Sequence, residues 1–576
     1  MFRFRSWFPI LVLCLTSLVT FGCDGCKKAD NKPQVIHELP EVPAPAHHLA
    51  DLFVPKPEET YSAFRTHIGG PLALLPSTFP SMVVTSLGLT TQLLEQIDGK
   101  SPMVGVMTDD GSRLVVVVGI HVRDGNRTIQ LMTEGADAKY SAKPAERGVI
   151  VLEPKPTLTS RVATLGVAGH YLMTAEKAQD LVECGPYVSG TLSKRTGIEG
   201  QIVVETHQDA LKGPLAKRMR EAWASFKAAR EKEDDKLRKE RGRSPDFGEP
   251  AAALADVGDK VETIVSVLSD LKRAQLRIDS DAVGIHALLT MVPASIEGVA
   301  AKEFSSLVVG DLAPLLAMPQ DTVVGLLVRD DEASRELGAK KHAEGIEKLL
   351  GERIKEPENN KVKEAMLQWS KGRGDYLAAS LRWTRDEQEA IARGAVRDRA
   401  EFERGIRSVL GLLAIPAIRE PVEHHLGKLT LSNVQKVGPG FAMHVDRNKK
   451  VPEGQPAQST SFDVAWRVDD STFEARVKPD GKAWLTKDEE KRPSLADHPT
   501  TSKIFAGLGA DASFVLFFDP QLFLSTLVPP SMKAKETNAP FVIAYGGANQ
   551  QGWFKLALSH ASARELIKML GRQELK

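Results

Sequence analysis

Residues 461–486 read SFDVAWRVDDSTFEARVKPDGKAWLT. Phe462, Val464, Trp466 and Val468 alternate with polar neighbours, and Phe473, Ala475 and Val477 do so again after Asp469-Asp470. A period of two puts every second side chain on one face, the pattern of an antiparallel strand with one face buried. With Lys482 to Thr486, entered through Pro479-Asp480-Gly481, the stretch predicts a three-strand meander. A hairpin is predicted the same way over residues 102–120, where Asp110-Gly111 supplies the favoured turn.

Working outward, the pattern repeats weakly. Tyr171-Leu172-Met173-Thr174 follows a turn at Ala168-Gly169, and Ile202-Val203-Val204 comes 29 residues later, from Thr174 to Val203. Ala483-Trp484-Leu485-Thr486 and Phe514-Val515-Leu516-Phe517 keep the same spacing, from Thr486 to Val515. Each half then shows a hairpin, over 276–289 and 542–558, and a helix-like segment, over 296–307 and 561–570. The first half is longer between strand and hairpin by about 47 residues, and residues 216–243 and 251–274 fill the gap with two helical patterns. The second carries Val257, Val261, Ile264, Leu268 and Leu271 on one face. The first, from Lys217 to Arg243, holds eleven basic and six acidic side chains, with pairs such as Asp234–Arg238 and Asp235–Lys239 four apart. Further helical patterns lie over 332–350 and 385–413.

The expected class is α+β: two related halves, each a curved antiparallel sheet with covering helices, plus a charged helical hairpin inserted in the first half. The expected divisions are a leader over 1–22, a flexible Pro-rich tether over 23–48, a first domain over 49–319 with its insertion near 212–274, and a second domain over 320–576. Duplicated α+β bodies of this kind resemble secreted bacterial proteins without assigned chemistry.

The 576 residues contain 75 Lys plus Arg and 75 Asp plus Glu, a balance that argues against nucleic acid as a partner. That zero is uneven, because Arg3 and Arg5 belong to the leader and the surplus of positive charge sits in the helical arm. From Trp7 to Gly22 there is no charge, an apolar run too short to span a bilayer comfortably and suited to an export signal. It ends at Gly22-Cys23, which resembles the cleavage box of bacterial lipoproteins; Gly25-Cys26 is a second cysteine in a similar position, with Asp24 inside its box. The resemblance implies a diacylglycerol thioether on Cys23, a membrane anchored through acyl chains, and a body outside the cytoplasm, on either the inner or the outer membrane. Cys14 leaves with the signal, so Cys26 and Cys184 make no disulfide framework and offer no zinc spacing.

Motifs of chemistry are few. Gly99-Lys100-Ser101 has the end of a phosphate loop, but Leu94 stands where its first glycine belongs. Gly507-Leu508-Gly509 precedes a strand, the wrong place for dinucleotide binding, and Arg373-Gly374-Asp375 reads as a turn. His47-His48 fall in the tether, Glu423-His424-His425 close a helix, Asp497-His498 precede Pro499 in a loop, and His170 and His286 sit in strands. No catalytic, metal or cofactor-binding residue emerges. The expectation is therefore a lipid-anchored envelope protein that binds a protein partner or an apolar ligand. The alternatives are a structural or assembly lipoprotein, or an enzyme whose site is gathered from distant residues.

Overall fold

The computed structural model describes residues 38–564, except 136–137, 156–163, 242–249, 384–387, 450–457, 487–491, 509–510 and 528–539. Cys23 and the expected leader over 1–22 lie outside the described residues, as does the expected helix beyond Arg564. The fold is α+β and built on extensive antiparallel sheet. Its contacts form two compact units. The described chain up to Leu215 with Arg273–Ala287 makes the first, and Ala216–Lys272 with the chain from Leu288 makes the second.

The first unit begins with strand β1, His48–Val54. The predicted hairpin follows as β2, Met103–Asp109, and β3, Leu114–His121, joined through Gly111, whose φ of 89° suits glycine. Then come β4 (Tyr140–Pro144), β5 (Ile150–Pro154), β6 (Thr164–Ala168), β7 (Tyr171–Ala175), β8 (Ile202–His207) and β9 (Leu271–Ser280). Side by side the strands run β4-β5-β6-β7-β3-β2-β1-β8-β9, every pair antiparallel. Helix Ala178–Gly190 lays Leu181, Cys184 and Val188 on Phe53, Val104, Val106, Val117 and Val203. Helices Phe79–Ser86 and Gly125–Thr133 close a separate core over β4 to β7.

The tether is tied down earlier than His48. Leu39 and Val42 pack on the first core, because these two apolar residues among the prolines have a surface to cover. Val42 donates its N–H to the Thr191 hydroxyl at 2.8 Å, and that hydroxyl donates to the Val42 carbonyl at 2.7 Å. Gly190 makes room for the strap, since a Cβ there would stand 2.3 Å from the Pro40 carbonyl oxygen.

Strand β10, Gly284–Pro293, follows the turn held by Asp281, whose carboxylate accepts from the Val283 and Gly284 amides. The second unit contains β11 (Val324–Arg329), β12 (Arg373–Trp383), β13 (Gln388–Val396), β14 (Lys428–Leu431), β15 (Gln435–Val437), β16 (Gly440–Lys449), β17 (Gln458–Val468), β18 (Thr472–Lys478), β19 (Ala512–Phe518), β20 (Phe541–Ala548) and β21 (Gln551–Ser559). Both β14 and β15 pair with β16, and the order continues β17-β18-β13-β12-β11-β19-β20-β21. Helices Glu356–Gly372 and Arg399–Gly411 cover one face over β13, β18 and β17, and Pro499–Ala506 covers the other face at β19.

Four expectations change. Residues 482–486 are not a third strand. Asp480 turns at φ 49°, and Gly481–Leu485 forms a 3-10 turn folded back on β17. There the Lys482 amide donates to the Asp463 carboxylate and Trp484 lies under the guanidinium groups of Arg467 and Arg476. The helical pattern over 385–413 splits, because Ala390, Ala392 and Gly394 are small enough to sit as strand β13 between β12 and β18, and the helix begins at Arg399. Arg373-Gly374-Asp375 is no turn but the start of β12, with Arg373 buried on Asp330.

Last, the helical arm (Ala216–Arg241 and Pro250–Ser269) groups with the second unit, not with residues 49–215. Asp270 at its end takes the Ala294 amide on its carbonyl and the Ala300 amide on its carboxylate, a tie that a linear boundary at 319 hides. On the second helix Val265 is buried while Ile264, on the expected apolar face, is half exposed. The arm's described ion pairs include Lys217–Glu221, Lys227–Glu231 and Arg220–Glu262. The side chains of Asp234 and Arg238 lie outside the described residues.

Candidate functional site

Three groupings of the described side chains could carry function, and physical tests separate them. The first is a pair of buried carboxylates in the first unit. Asp51 on β1 and Glu205 on β8 are direct cross-strand partners and almost fully buried. Arg195 lies between them, 3.6 Å from Asp51 and 2.9 Å from Glu205, with its guanidinium 4.8 Å above the Phe53 ring. His48 reaches Asp51 at 2.7 Å, and the Tyr187 hydroxyl donates to Asp51 at 3.3 Å. Arg273 and His207 approach Glu205 at 3.5 and 3.9 Å. Burial, and then the Asp51 charge, push the Tyr187 hydroxyl well above the ordinary phenol range, so it stays a donor. Every carboxylate oxygen here faces a cation or a donor, and the carboxylates are 2% and 4% exposed. A substrate would have to displace that shell. The cluster is a closed ion network, which a buried charge requires.

The second is the buried Glu389 on β13. Arg382 pairs with it, Arg492 stands 3.0 Å away, and Arg476 and Lys478 follow at 3.6 and 3.7 Å. Burial works against the Arg382 charge, but its hydrogen bonds to Asp321 and Glu389 overcome that and raise its pKa. Glu474, buried beside Arg476 at 2.7 Å, extends the network to Arg467 and Arg393. Glu389 Oε2 is held by Arg382 and Arg492, whereas its buried Oε1 makes no hydrogen bond and has Arg476 and Lys478 at ion-pair distance; the pairs knit β12, β13, β17 and β18 together.

The histidines stay separate. His498 caps helix Pro499–Ala506, its Nδ1 accepting from the Thr501 amide at 3.3 Å, a role not evident from Asp497-His498 alone. His170 is not in a strand as expected but in the β6–β7 turn, where it stacks on His121 at 5.9 Å. His444 bridges Asp463 at 2.7 Å and Asp446 at 3.3 Å, and the Asp463 hydrogen bond raises its pKa. His424 and His425 fall in the last turn of helix Pro416–Leu426, as the sequence implied. Among the described residues no three metal donors converge. An open depression of about 510 Å³ beside Glu58, Ser62, Thr66 and His67 lies along one helix and gathers no further chemistry.

The third grouping is apolar. Across β12, β11, β19, β20 and β21 one row of direct partners reads Leu377, Val328, Phe514, Tyr545 and Phe554. The next reads Ala379, Leu326, Leu516, Ile543 and Leu556, and a third runs from Leu381 to Leu558 through Val324, Phe518 and Phe541. None of these fifteen positions is charged. Leu558 is buried, Tyr545 and Phe554 are exposed, and the other twelve are half-buried. The opposite face of the same strands is closed, with Leu327, Val515, Phe517, Val542 and Ala557 at 1% exposure or less. Phe514 and Tyr545 stack at 5.1 Å and 13°, and Phe523 of helix Pro520–Leu527 leans on Phe518 and Trp383 at one edge. With strands about 4.8 Å apart and same-face residues about 6.8 Å apart, the face measures about 19 by 14 Å. An apolar surface of this extent, left partly in water, is the candidate site of the described residues.

Searches of the chain against protein-family models, curated proteins and solved structures find no match, so the open sheet face stands on its geometry alone.

Proposed function

We propose that this chain is a lipid-anchored cell-envelope protein, acylated at Cys23, whose body lies outside the cytoplasm and works by docking an apolar partner. The observation that carries the docking reading is the fifteen-position uncharged face on β11, β12, β19, β20 and β21. Leaving it in water costs free energy at roughly 25 cal/mol for each Å² exposed, and an occupant recovers that cost. The buried carboxylates of both ion networks are ringed by the chain's own cations, which favours binding over catalysis. Lys27, Lys28, Asp30, Lys32 and Gln34, followed by the prolines from Pro40 to Pro45, suit a spacer between anchor and body.

The body reads as two related halves. Strand for strand, β1-β2-β3-β7-β8-β9 and β11-β12-β13-β18-β19-β20 follow the same pairing order, with extra strands added beyond β7 and beyond β18. The partner of β7 is thus β18, one element earlier than residues 483–486. Leu52, Val204 and Leu276, cross-strand partners in the first unit, are half-buried like Leu326, Leu516 and Ile543 in the second. The same side of both sheets is therefore apolar and incompletely covered.

Two experiments test this reading. Cys23→Ala should move the chain from the membrane fraction to the soluble fraction. Membrane retention of the variant, or mature protein that keeps Met1, contradicts the anchor. A benzophenone-bearing phenylalanine at Phe514, in the full chain in its producing cells, should yield a discrete photoadduct, and the same residue at the fully exposed Asp470 should yield none. Absence of any adduct at Phe514 contradicts docking.

A further inference from the structure

We propose that the occupant of the open face is a second copy of this chain. The proposal rests on the docking reading above and names its partner. Charge is the first argument. A surface that selects a different protein uses charged groups to set register and reject wrong partners, whereas the cores of homodimer interfaces are apolar and poor in charge. The fifteen positions carry no charge, so nothing on the face repels its own image.

Shape is the second. Sheets pack face to face about 10 Å apart with their strands within about 30° of each other, and a regular three-by-five grid of apolar side chains is suited to that packing. A two-fold axis in the plane between two such faces makes an isologous contact, the commonest form of self-association. Leu516, on the middle strand and in the middle row, is the centre of the grid. It meets its own image whether the axis runs along the strands or across them. Phe514 lies next to it along β19, within reach of the partner copy in both arrangements.

Area is the third. If each side chain leaves roughly a quarter of about 180 Å² in water, the face offers on the order of 650 Å² per copy. Two copies would bury on the order of 1,300 Å², inside the range of specific stable interfaces. The opposite face of these strands offers no such area, because its side chains are already covered.

The experiment is the mass of the photoadduct formed at Phe514 in the full chain. The expected product has twice the mass of the mature acylated chain, which is the 62.8 kDa of the full sequence less residues 1–22 and plus the acyl groups. Adding Leu516→Glu, which sets two like charges against each other at the axis, should lower its yield by roughly tenfold or more. The unfolding transition should stay in place, because Leu516 is already partly in water. If that variant fails to fold, Tyr545→Glu at the exposed end of the aromatic row replaces it, with the same expected loss. An adduct with the mass of another protein, or an increment the size of a lipid, overturns the second copy and leaves docking standing. A double-mass product that survives both charge substitutions overturns this interface. No adduct at all overturns both proposals.

Discussion

Glu389→Gln should destabilise the second unit by about 3–5 kcal/mol, read as a shift in the urea midpoint at constant slope. The side chain is fully buried, and four cations converge on its carboxylate: Arg382, Arg476, Lys478 and Arg492. Glutamine keeps the shape and removes the charge. The cations then stay in a poorly solvated place with less to balance them, which is the costly way to break a buried ion network. Asp321 continues to hold Arg382 at 2.6 Å, so part of the network survives and the unit does not lose its fold outright. Because the carboxylate is shielded from solvent, added salt should change the difference little. A loss below about 1 kcal/mol would mean that the network is more solvated than its burial implies.

Phe402→Ala should cost a similar amount, about 3–5 kcal/mol, by a different mechanism. Phe402 is fully buried on helix Arg399–Gly411. Its ring lies 4.5 Å from Phe473 on β18 and 4.9 Å from Trp369 on helix Glu356–Gly372. The aromatic trio locks two helices onto the sheet. Gly405 and Gly372 let the helix backbones come so close that a Cβ on Gly405 would stand 2.7 Å from Trp369, and one on Gly372 2.2 Å from the Phe402 nitrogen. Helices held that tightly have little freedom to collapse into a cavity, so the loss should fall in the upper part of the range. Phe402→Leu, which refills most of the volume, should recover more than half of it.

How much of this was legible in the sequence depended on what each residue had to distinguish. Asp110-Gly111 fixed the β2–β3 hairpin because only a left-handed turn fits there, and the alternation through Trp466 and Phe473 fixed β17 and β18. The same alternation could not say where the meander ended. Trp484 and Leu485 are apolar for burial over β17, as they would be in a strand, and the left-handed Asp480 decided between the two. Residues 388–396 looked helical because alanine suits both states, and packing between β12 and β18 overrode its helix propensity. The spacing of 29 residues from Thr174 to Val203 joins strands β7 and β8, but Thr486, 29 residues before Val515, follows a 3-10 turn and lies in no strand.

The open face was invisible for a related reason. Phe514-Val515-Leu516-Phe517-Phe518 is apolar on both sides, which reads as a strand buried on both faces. Nothing in the run tells Phe517, which is closed over by Phe505, from Leu516, which is not. Asp51 and Glu205 were equally silent, because 154 positions separate them in the chain and the β1–β8 register alone makes them neighbours.

Radical footprinting of aromatic side chains tests the open face most directly. On dilute purified chain, Phe514, Tyr545 and Phe554 should label while Phe505 and Phe517 stay protected. In the intact cell envelope the first three should become protected as well. Protection of Phe514, Tyr545 and Phe554 in both states would mean that the chain itself covers the face, and labelling in both would mean that nothing docks there.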